Sequence, residues 1–305
     1  MHSDLLMIDE AQYVEQIGVN LKLIVDHIPG IKVVATGSSS FEFAHQIGEP
    51  LVGRKWQFEL FPIAQAELAR HEDALTTAAN MEERLIYGSY PEVITTAGIE
   101  RKQQLLHAIV DHSLLKDLFT LEYLKKPQKV LDLLKLIAFQ IGHEVSVSEL
   151  ANSLNINFTT VERYLDLLTK VFVLVRVNGF SKNLRKEVTK NARYYFVDNG
   201  VRNAVINNFN ALNARNDAGQ LWENYVCIER MKKRAYAQSY ANTYFWRTYD
   251  KKEIDLVEER EGKLFGYEIT WQKGRSKKPP KDWLATYANA EYRLINRDNY
   301  LEFIV

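Results

Sequence analysis

Leu5-Leu6-Met7-Ile8-Asp9-Glu10-Ala11-Gln12 is the stretch from which the fold can be read. An apolar run of strand length ends in two consecutive carboxylates. If the run is a buried strand of a parallel sheet, Asp9 and Glu10 fall where it surfaces at the carboxyl edge, and that edge is where open α/β sheets bind ligands. Downstream, Val14, Ile17, Leu21, Ile24 and Val25 recur at helical spacing between Tyr13 and His27, and Pro29-Gly30 stops the pattern. A second apolar strand follows, Val33-Val34-Ala35-Thr36-Gly37-Ser38-Ser39, and it ends in hydroxyls. Phe41 to Ile47 reads as helix. Trp56-Gln57-Phe58-Glu59-Leu60 alternates as a further strand and is closed by Phe61-Pro62-Ile63. Strand, helix, strand and more strand is the grammar of a parallel sheet.

Two carboxylates after such a strand form the Walker B pattern of P-loop ATPases. There the Asp holds Mg²⁺ near the phosphates and the Glu orients the attacking water. Asp9 is thus the expected metal ligand and Glu10 the water-orienting residue. Thr36 and Ser38 stand where hydroxyls could reach a γ-phosphate or that water. Arg54, after Gly53, is a candidate finger for a neighbouring subunit's γ-phosphate. The plainer readings are acidic residues at a helix N-terminus and a solvated loop arginine. No G-x-x-x-x-G-K-[ST] cradle occurs anywhere in the chain. The sequence therefore implies half of an ATP site. ATP and Mg²⁺ belong to a complete protein, and this chain alone should bind ATP weakly or not at all.

Composition narrows the setting. At 305 residues the chain has room for several domains, and its 46% hydrophobic and 26% charged content is ordinary for a globular protein. Lys plus Arg and Asp plus Glu balance at 39 each, so nucleic-acid contact would need local patches. The single cysteine, Cys227, excludes an intrachain disulfide and fits a reducing compartment. No run approaches the ~20 apolar residues that span a bilayer, and no basic-then-apolar leader opens the chain. The expected setting is cytoplasmic, without membrane contact.

Four units are expected. Residues 1–68 form the partial nucleotide-binding sheet and 69–127 a helical, lid-like segment with a long amphipathic run from Arg101 to Leu121. Residues 128–205 read helix, short strand, helix, tight turn, helix and two strands, which is a winged helix-turn-helix. Residues 206–305 return to α/β: a helix from Gly219, strands Thr243 to Arg247, Glu253 to Glu258 and Lys263 to Trp271, a helix Trp283 to Ala290, and a final strand Leu301 to Val305. The fold class is α/β and α+β, multidomain. Edge exposure makes residues 1–68 the expected weak point.

Asp9-Glu10-Ala11-Gln12, Thr36-Gly37-Ser38-Ser39, Gly53-Arg54, Phe61-Pro62-Ile63, Gly88-Ser89-Tyr90-Pro91 and Asp198-Asn199-Gly200 occur in that order. Together they resemble the bacterial and archaeal AAA+-type ATPases that carry a conserved C-terminal domain of unknown function. The resemblance spans nearly the whole chain and implies ATP binding for a protein whose Walker A loop lies upstream. Glu223 on a helix, Asp255 on a strand and Glu268 on the next also resemble the PD-(D/E)XK nuclease fold. That likeness implies a divalent metal on these carboxylates and a lysine two residues after the last. Position 270 is Thr, so the resemblance points to a degenerate scaffold rather than a working nuclease.

Thr159, Thr160, Arg163 and Tyr164 could face a DNA groove, with Lys182, Arg185, Lys186 and Lys190 of the wing loop on phosphates. Glu162 and Asp166 on the same helix argue for a protein partner or self-association instead. The loop from Lys273 to Lys281, with Lys277 and Lys278, could also grip phosphates beside Trp271 and Trp283, or simply be solvated. The function expected is a truncated ATPase acting as a nucleotide-dependent switch. Its rivals are a non-enzymatic DNA-binding protein and a metal-dependent nuclease.

Overall fold

The computed structural model describes residues 4–37, 51, 53–114, 127–181, 191–248, 251–274, 277–287 and 289–305, with the side chains of 112–114 excepted. Phe41 to Ile47, Ser38, Lys182, Arg185, Lys186 and Lys190 lie outside them. The class is mixed α/β.

The N-terminal unit is small. β1 (Leu5–Ile8) and β2 (Lys32–Ala35) pair in parallel, with Leu5 opposite Lys32 and Ile8 opposite Ala35. A single 3₁₀ turn at Ala11–Tyr13 separates β1 from α1 (Ile17–His27), so the helix starts later than its apolar spacing suggested. Its own core is Ala11, Ile17, Leu21 and Leu51. Leu5 is 50% exposed and Met7 69% exposed, although strands of parallel sheets are ordinarily covered on both faces. So small a core leaves little to resist local opening. Limited proteolysis should therefore cut within residues 1–68 before the rest of the chain. Fragments that retain 1–68 but are nicked between 128 and 205 would contradict this.

The alternation of Trp56 to Leu60 does not produce a strand. These residues join no ladder among the described residues and are all exposed. Short helices follow: α2 (Gln65–Leu68), α3 (Ala74–Ala79), α4 (Met81–Tyr87), α5 (Pro91–Thr95) and α6 (Ile99–Ala108). Asp73 caps α3 by accepting from Thr76 N at 2.7 Å, and Pro91 opens α5, where its missing N–H costs nothing. The expected long helix from Arg101 ends at Ala108, and a π-type turn covers Ile109–Leu114.

Next come α7 (Pro127–Phe139), β3 (Glu144–Val145), α8 (Val147–Leu154), α9 (Phe158–Lys170), β4 (Leu174–Gly179) and β5 (Ala192–Phe196). Ser146 Oγ accepts from Glu149 N to start α8, and Asn157 Oδ1 accepts from Thr160 N at 2.8 Å to start α9. Asn155, at φ +50°, makes the tight turn between them. Val161, Leu165 and Leu168 give α9 its buried face. The chain continues through α10 (Asn199–Val205), α11 (Ala218–Tyr236), β6 (Asn242–Arg247), β7 (Glu253–Arg260), β8 (Lys263–Ile269), α12 (Lys281–Thr286), β9 (Ala290–Ile295) and α13 (Tyr300–Ile304). The expected last strand, Leu301 to Val305, is a helix, and the strand lies at β9. The helix read from Trp283 to Ala290 runs instead over Lys281–Thr286.

A seven-stranded mixed sheet in the order β3-β5-β4-β6-β7-β8-β9 holds these parts together. The β4–β6 contact is short and parallel, Asn178 with Tyr244 and Gly179 with Phe245, and Phe180 N extends it by donating to Phe245 O at 2.7 Å. One buried cluster runs from Met81 to Ile304 around Trp222, Tyr195 and Phe196, and a second gathers around Trp283. The segment from Gln65 to Tyr87 docks on α11. Gln65 N donates to Glu229 Oε2 at 2.6 Å, and Gln65 Oε1 accepts from Arg84 Nη1 at 2.6 Å and from Tyr225 OH at 2.9 Å.

The Gly88-Ser89-Tyr90-Pro91 and Asp198-Asn199-Gly200 motifs prove to be two halves of one joint. Asp198 Oδ2 accepts from Ser89 N at 2.7 Å, and its Oδ1 accepts from Val201 N at 3.1 Å to cap α10. Asn203 Nδ2 donates to Ile86 O at 2.8 Å. Gly88 has φ +73°, and an added Cβ there would overlap the Asp198 carboxylate.

Candidate functional site

Two constellations collect the chemistry-bearing residues. The first is at the carboxyl edge of β1 and β2. The parallel register carries each strand to the same level, so Asp9 and Thr36 emerge side by side. Thr36 Oγ1 donates to Asp9 Oδ1 in a short hydrogen bond, and Glu10 N donates to Thr36 Oγ1 at 3.3 Å. The backbone holds this edge, since Thr36 N donates to Ile8 O at 2.9 Å and Ala11 N donates to Thr36 O at 2.8 Å. Glu10 sits at φ +49° and accepts from Gln12 Nε2. Both carboxylates are exposed. An exposed carboxylate beside a hydroxyl is a hard oxygen donor set of the kind Mg²⁺ takes when substrate phosphates and water complete its shell. Asp9 and Thr36 thus fit the metal half of a nucleotide site. Arg54 is ion-paired with Asp26 of α1.

The second constellation assembles Glu223 of α11, Asp255 of β7 and Glu268 of β8, which are far apart in sequence. At its centre is a residue the sequence reading missed, Arg193 of β5, only 3% exposed. Arg193 Nη1 stands 3.5 Å from both Glu223 Oε1 and Asp255 Oδ1, Nη2 stands 2.8 Å from Glu253 Oε2, and the guanidinium lies 4.6 Å over the Phe245 ring. Tyr195 OH donates to Glu223 Oε1 at 2.7 Å, and Ile269 N donates to Asp255 Oδ2 at 2.8 Å. Lys277 is ion-paired with Glu268, whose other oxygen is buried with no partner among the described residues. A charged residue inside a strand buried throughout, Ala192–Phe196, was the available signal, because such an arginine requires acid partners.

Burial dominates the titration here. It pushes Glu223 up to about 8, helped by Asp255 and opposed by Arg193. Burial also raises Asp255, and it pushes Glu268 up to about 7 with Asp255 adding to the effect. For Arg193, burial acts downward, but Tyr195, Glu223, Asp255 and Glu253 more than reverse it, so the guanidinium stays charged. Glu223, Asp255 and Glu268 are thus all held toward their protonated forms.

The donor set does not fit a divalent metal. Arg193, Tyr195, the Ile269 amide and Lys277 already engage one oxygen of Glu223, both of Asp255 and one of Glu268, and among the described residues no group of three His, Cys, Asp or Glu is arranged to hold a metal ion. Supercoiled plasmid incubated with the chain and Mg²⁺ or Mn²⁺ should therefore stay uncut. Nicking that is lost in Asp255→Asn would refute this.

The proposed nucleic-acid contacts are scattered. Thr159 and Arg163 are exposed on α9, Thr160 is half-buried at its cap, and Tyr164 is 3% exposed and so cannot read a groove. Lys278 is exposed, whereas Lys277 is committed to Glu268. Neither tryptophan is free to stack on a base. Trp283 is fully buried with Nε1 donating to Glu291 O at 3.2 Å, and Trp271 lies under the Arg297 guanidinium. Among the described residues no helix is long and apolar enough to cross a membrane.

Three family models match successive parts of the chain. Residues 2–69 match the family described as AAA domain, residues 78–212 a domain of unknown function (DUF8612), and residues 218–301 a domain of unknown function (DUF4143). The ends of the chain thus pair an AAA-type domain with a DUF4143 domain, consistent with an ATPase-like protein. An uncharacterized protein of Mycobacterium tuberculosis (strain ATCC 25618 / H37Rv) is 26% identical over 271 residues, covering 88% of this chain and 58% of that protein. An uncharacterized protein of Haemophilus influenzae is 25% identical over 279 residues, covering 87% of this chain and 65% of its own length. The chain therefore spans about two thirds or less of these relatives. No solved structure matches.

Proposed function

We propose that this chain carries the metal-and-water half of an ATP site, joined to a body that reads out nucleotide state, in a cytoplasmic ATPase-like switch. The observation that carries this reading is the Thr36–Asp9 contact at the carboxyl edge of two parallel strands. Asp9 would hold Mg²⁺, Glu10 would orient water, and the ion would neutralise phosphate charge when bound. The phosphate cradle comes from a Gly-rich segment outside the 305 residues, because none lies within them. In this reading α7 to β5 form a winged helix-turn-helix. The domain from α11 onward keeps a nuclease-like scaffold in which Arg193 supplies the cation. The exposed Glu162 and Asp166 beside Arg163 on α9 favour a protein partner over a phosphate backbone.

The test is a fusion that places a G-x-x-x-x-G-K-[ST] strand and loop ahead of Asp4. The chain alone should not hydrolyse ATP, whereas the fusion should. Asp9→Asn in the fusion should lower kcat by about 10²–10³-fold, the usual loss when one charge-stabilising group is removed. Hydrolysis indifferent to Asp9→Asn would sink the assignment.

A further inference from the structure

Two arginines of the body hold buried carboxylates in different ways. Arg230 forks onto a single partner, with Nε and Nη2 each 2.8 Å from one oxygen of the fully buried Glu258. That bidentate geometry is what a structural arginine pair adopts. Arg193 forks onto none of its acids. Its Nη1 stands 3.5 Å from Glu223 and 3.5 Å from Asp255, which belong to different elements, and its Nε is buried with no partner among the described residues. Arg193 thus sits among carboxylates as a point charge.

The acids around it are braced from outside. Tyr195 OH donates to Glu223 Oε1 at 2.7 Å, and Ile269 N donates to Asp255 Oδ2 at 2.8 Å. Donors that bond the ligand rather than the ion are how proteins fix carboxylates around a cation. Lys277 brings a second unit charge, its ammonium on Glu268 Oε1. Glu268 is only 8% exposed, and its Oε2 is buried with no partner among the described residues. A buried carboxylate oxygen left over in this way is costly. It marks a place shaped for an ion that bonds more oxygens at once than an ammonium does, and divalent cations take six or more.

We propose that Arg193 and Lys277 together stand in the place of one divalent cation. Two unit charges supplied by the chain close a carboxylate site at Glu223, Asp255 and Glu268, and that site takes a metal once they are removed. The unsubstituted protein is therefore indifferent to divalent cations. This deepens the reading of the domain as a scaffold with a built-in cation, and it does not depend on the edge formed by Asp9 and Thr36.

Calorimetric titration with MnCl₂ above pH 8, where protons compete least, tests the exchange. The parent should show no binding. Lys277→Met frees Glu268 at a side chain that is 40% exposed, so the fold should survive, and this variant should gain weak Mn²⁺ binding. R193M/K277M should bind at about 10⁻⁴–10⁻³ M, the weak end of carboxylate cation sites, and at least about tenfold tighter than Lys277→Met. Its thermal midpoint should rise with Mn²⁺ while that of the parent stays fixed. Asp255→Asn added to either variant should abolish both effects. Binding by the parent as tight as by the variants overturns the proposal. So does a folded Lys277→Met that Mn²⁺ leaves unchanged, or binding that survives Asp255→Asn. None of these outcomes touches the assignment of Asp9, which rests on hydrolysis by the fusion.

Discussion

Arg193→Met should lower the stability of the body by about 3–5 kcal/mol, the range expected when one partner of a buried ionic cluster is removed and the others stay. Methionine fills much of the same volume over Phe245, so the loss is one of charge rather than packing. Without the guanidinium, Glu223 and Asp255 lose a cation at 3.5 Å and Glu253 one at 2.8 Å. For the buried Glu223 and Asp255 the remaining recourse is to take up protons, and that fixes the pH dependence. In the parent chain, burial already holds Glu223 up to about 8 and Glu268 up to about 7. Both bind protons in the folded state that they would release on unfolding, where a glutamate titrates near 4.3. Their contribution is therefore full below that unfolded value and is lost as pH rises through about 7 and then 8. Arg193→Met drives the folded values higher still. Its deficit should be smaller near pH 5, where Glu223 and Glu268 are protonated with or without the arginine, and largest above pH 8. Urea unfolding of parent and variant at both ends of that range measures it. An equal deficit at both ends would mean that Arg193 acts through packing alone.

The cluster also shows where sequence reading stops. Glu223, Asp255 and Glu268 were singled out through the resemblance to the nuclease fold, on a helix and two strands that the structure also shows. What they face depends on β5, contributed from about thirty positions upstream of Glu223 and joined through β4 and the short β4–β6 contact. No local pattern encodes that pairing. The edge formed by Asp9 and Thr36 was legible for the opposite reason, since two apolar strands joined by one helix leave few ways to pair other than in parallel.

Local ambiguity explains the misread elements. Tyr300, Phe303 and Ile304 are a short apolar run whose spacing of three and four residues fits a helix, yet at this length periodicity does not separate helix from strand. The alternation in Ala290–Ile295 was the better strand signal, with Glu291 and Arg293 exposed between covered neighbours. Trp56 to Leu60 carries the same alternation and still lacks a ladder, because a strand needs a neighbour and the described chain provides none.

The joint between α4 and α10 leads to the second large effect. Gly200 is the second residue of α10, and a Cβ added there would lie 2.0 Å from Tyr87 O and 2.9 Å from Leu106 Cδ2. The first of these is backbone at the end of α4, held by its own helix, so it cannot swing aside as a side chain would. Gly200→Ala must push α10 away from α4. That lengthens the Asp198–Ser89 bond at 2.7 Å and the Asn203–Ile86 bond at 2.8 Å, both buried. A methyl forced into a packed contact costs about 1–3 kcal/mol, and each buried polar group left without a partner adds about 1–3 kcal/mol. The expected loss is thus about 3 kcal/mol or more, although alanine is the better helix former. Gly219→Ala is the matched control. It also lies in the first turn of a helix, α11, but a Cβ there meets nothing within 4 Å, so the substitution should be neutral or slightly stabilising. Thermal midpoints of the two variants against the parent decide the matter. If both shift alike, helix propensity governs the positions and the close approach of α10 to Tyr87 is not what makes glycine necessary there.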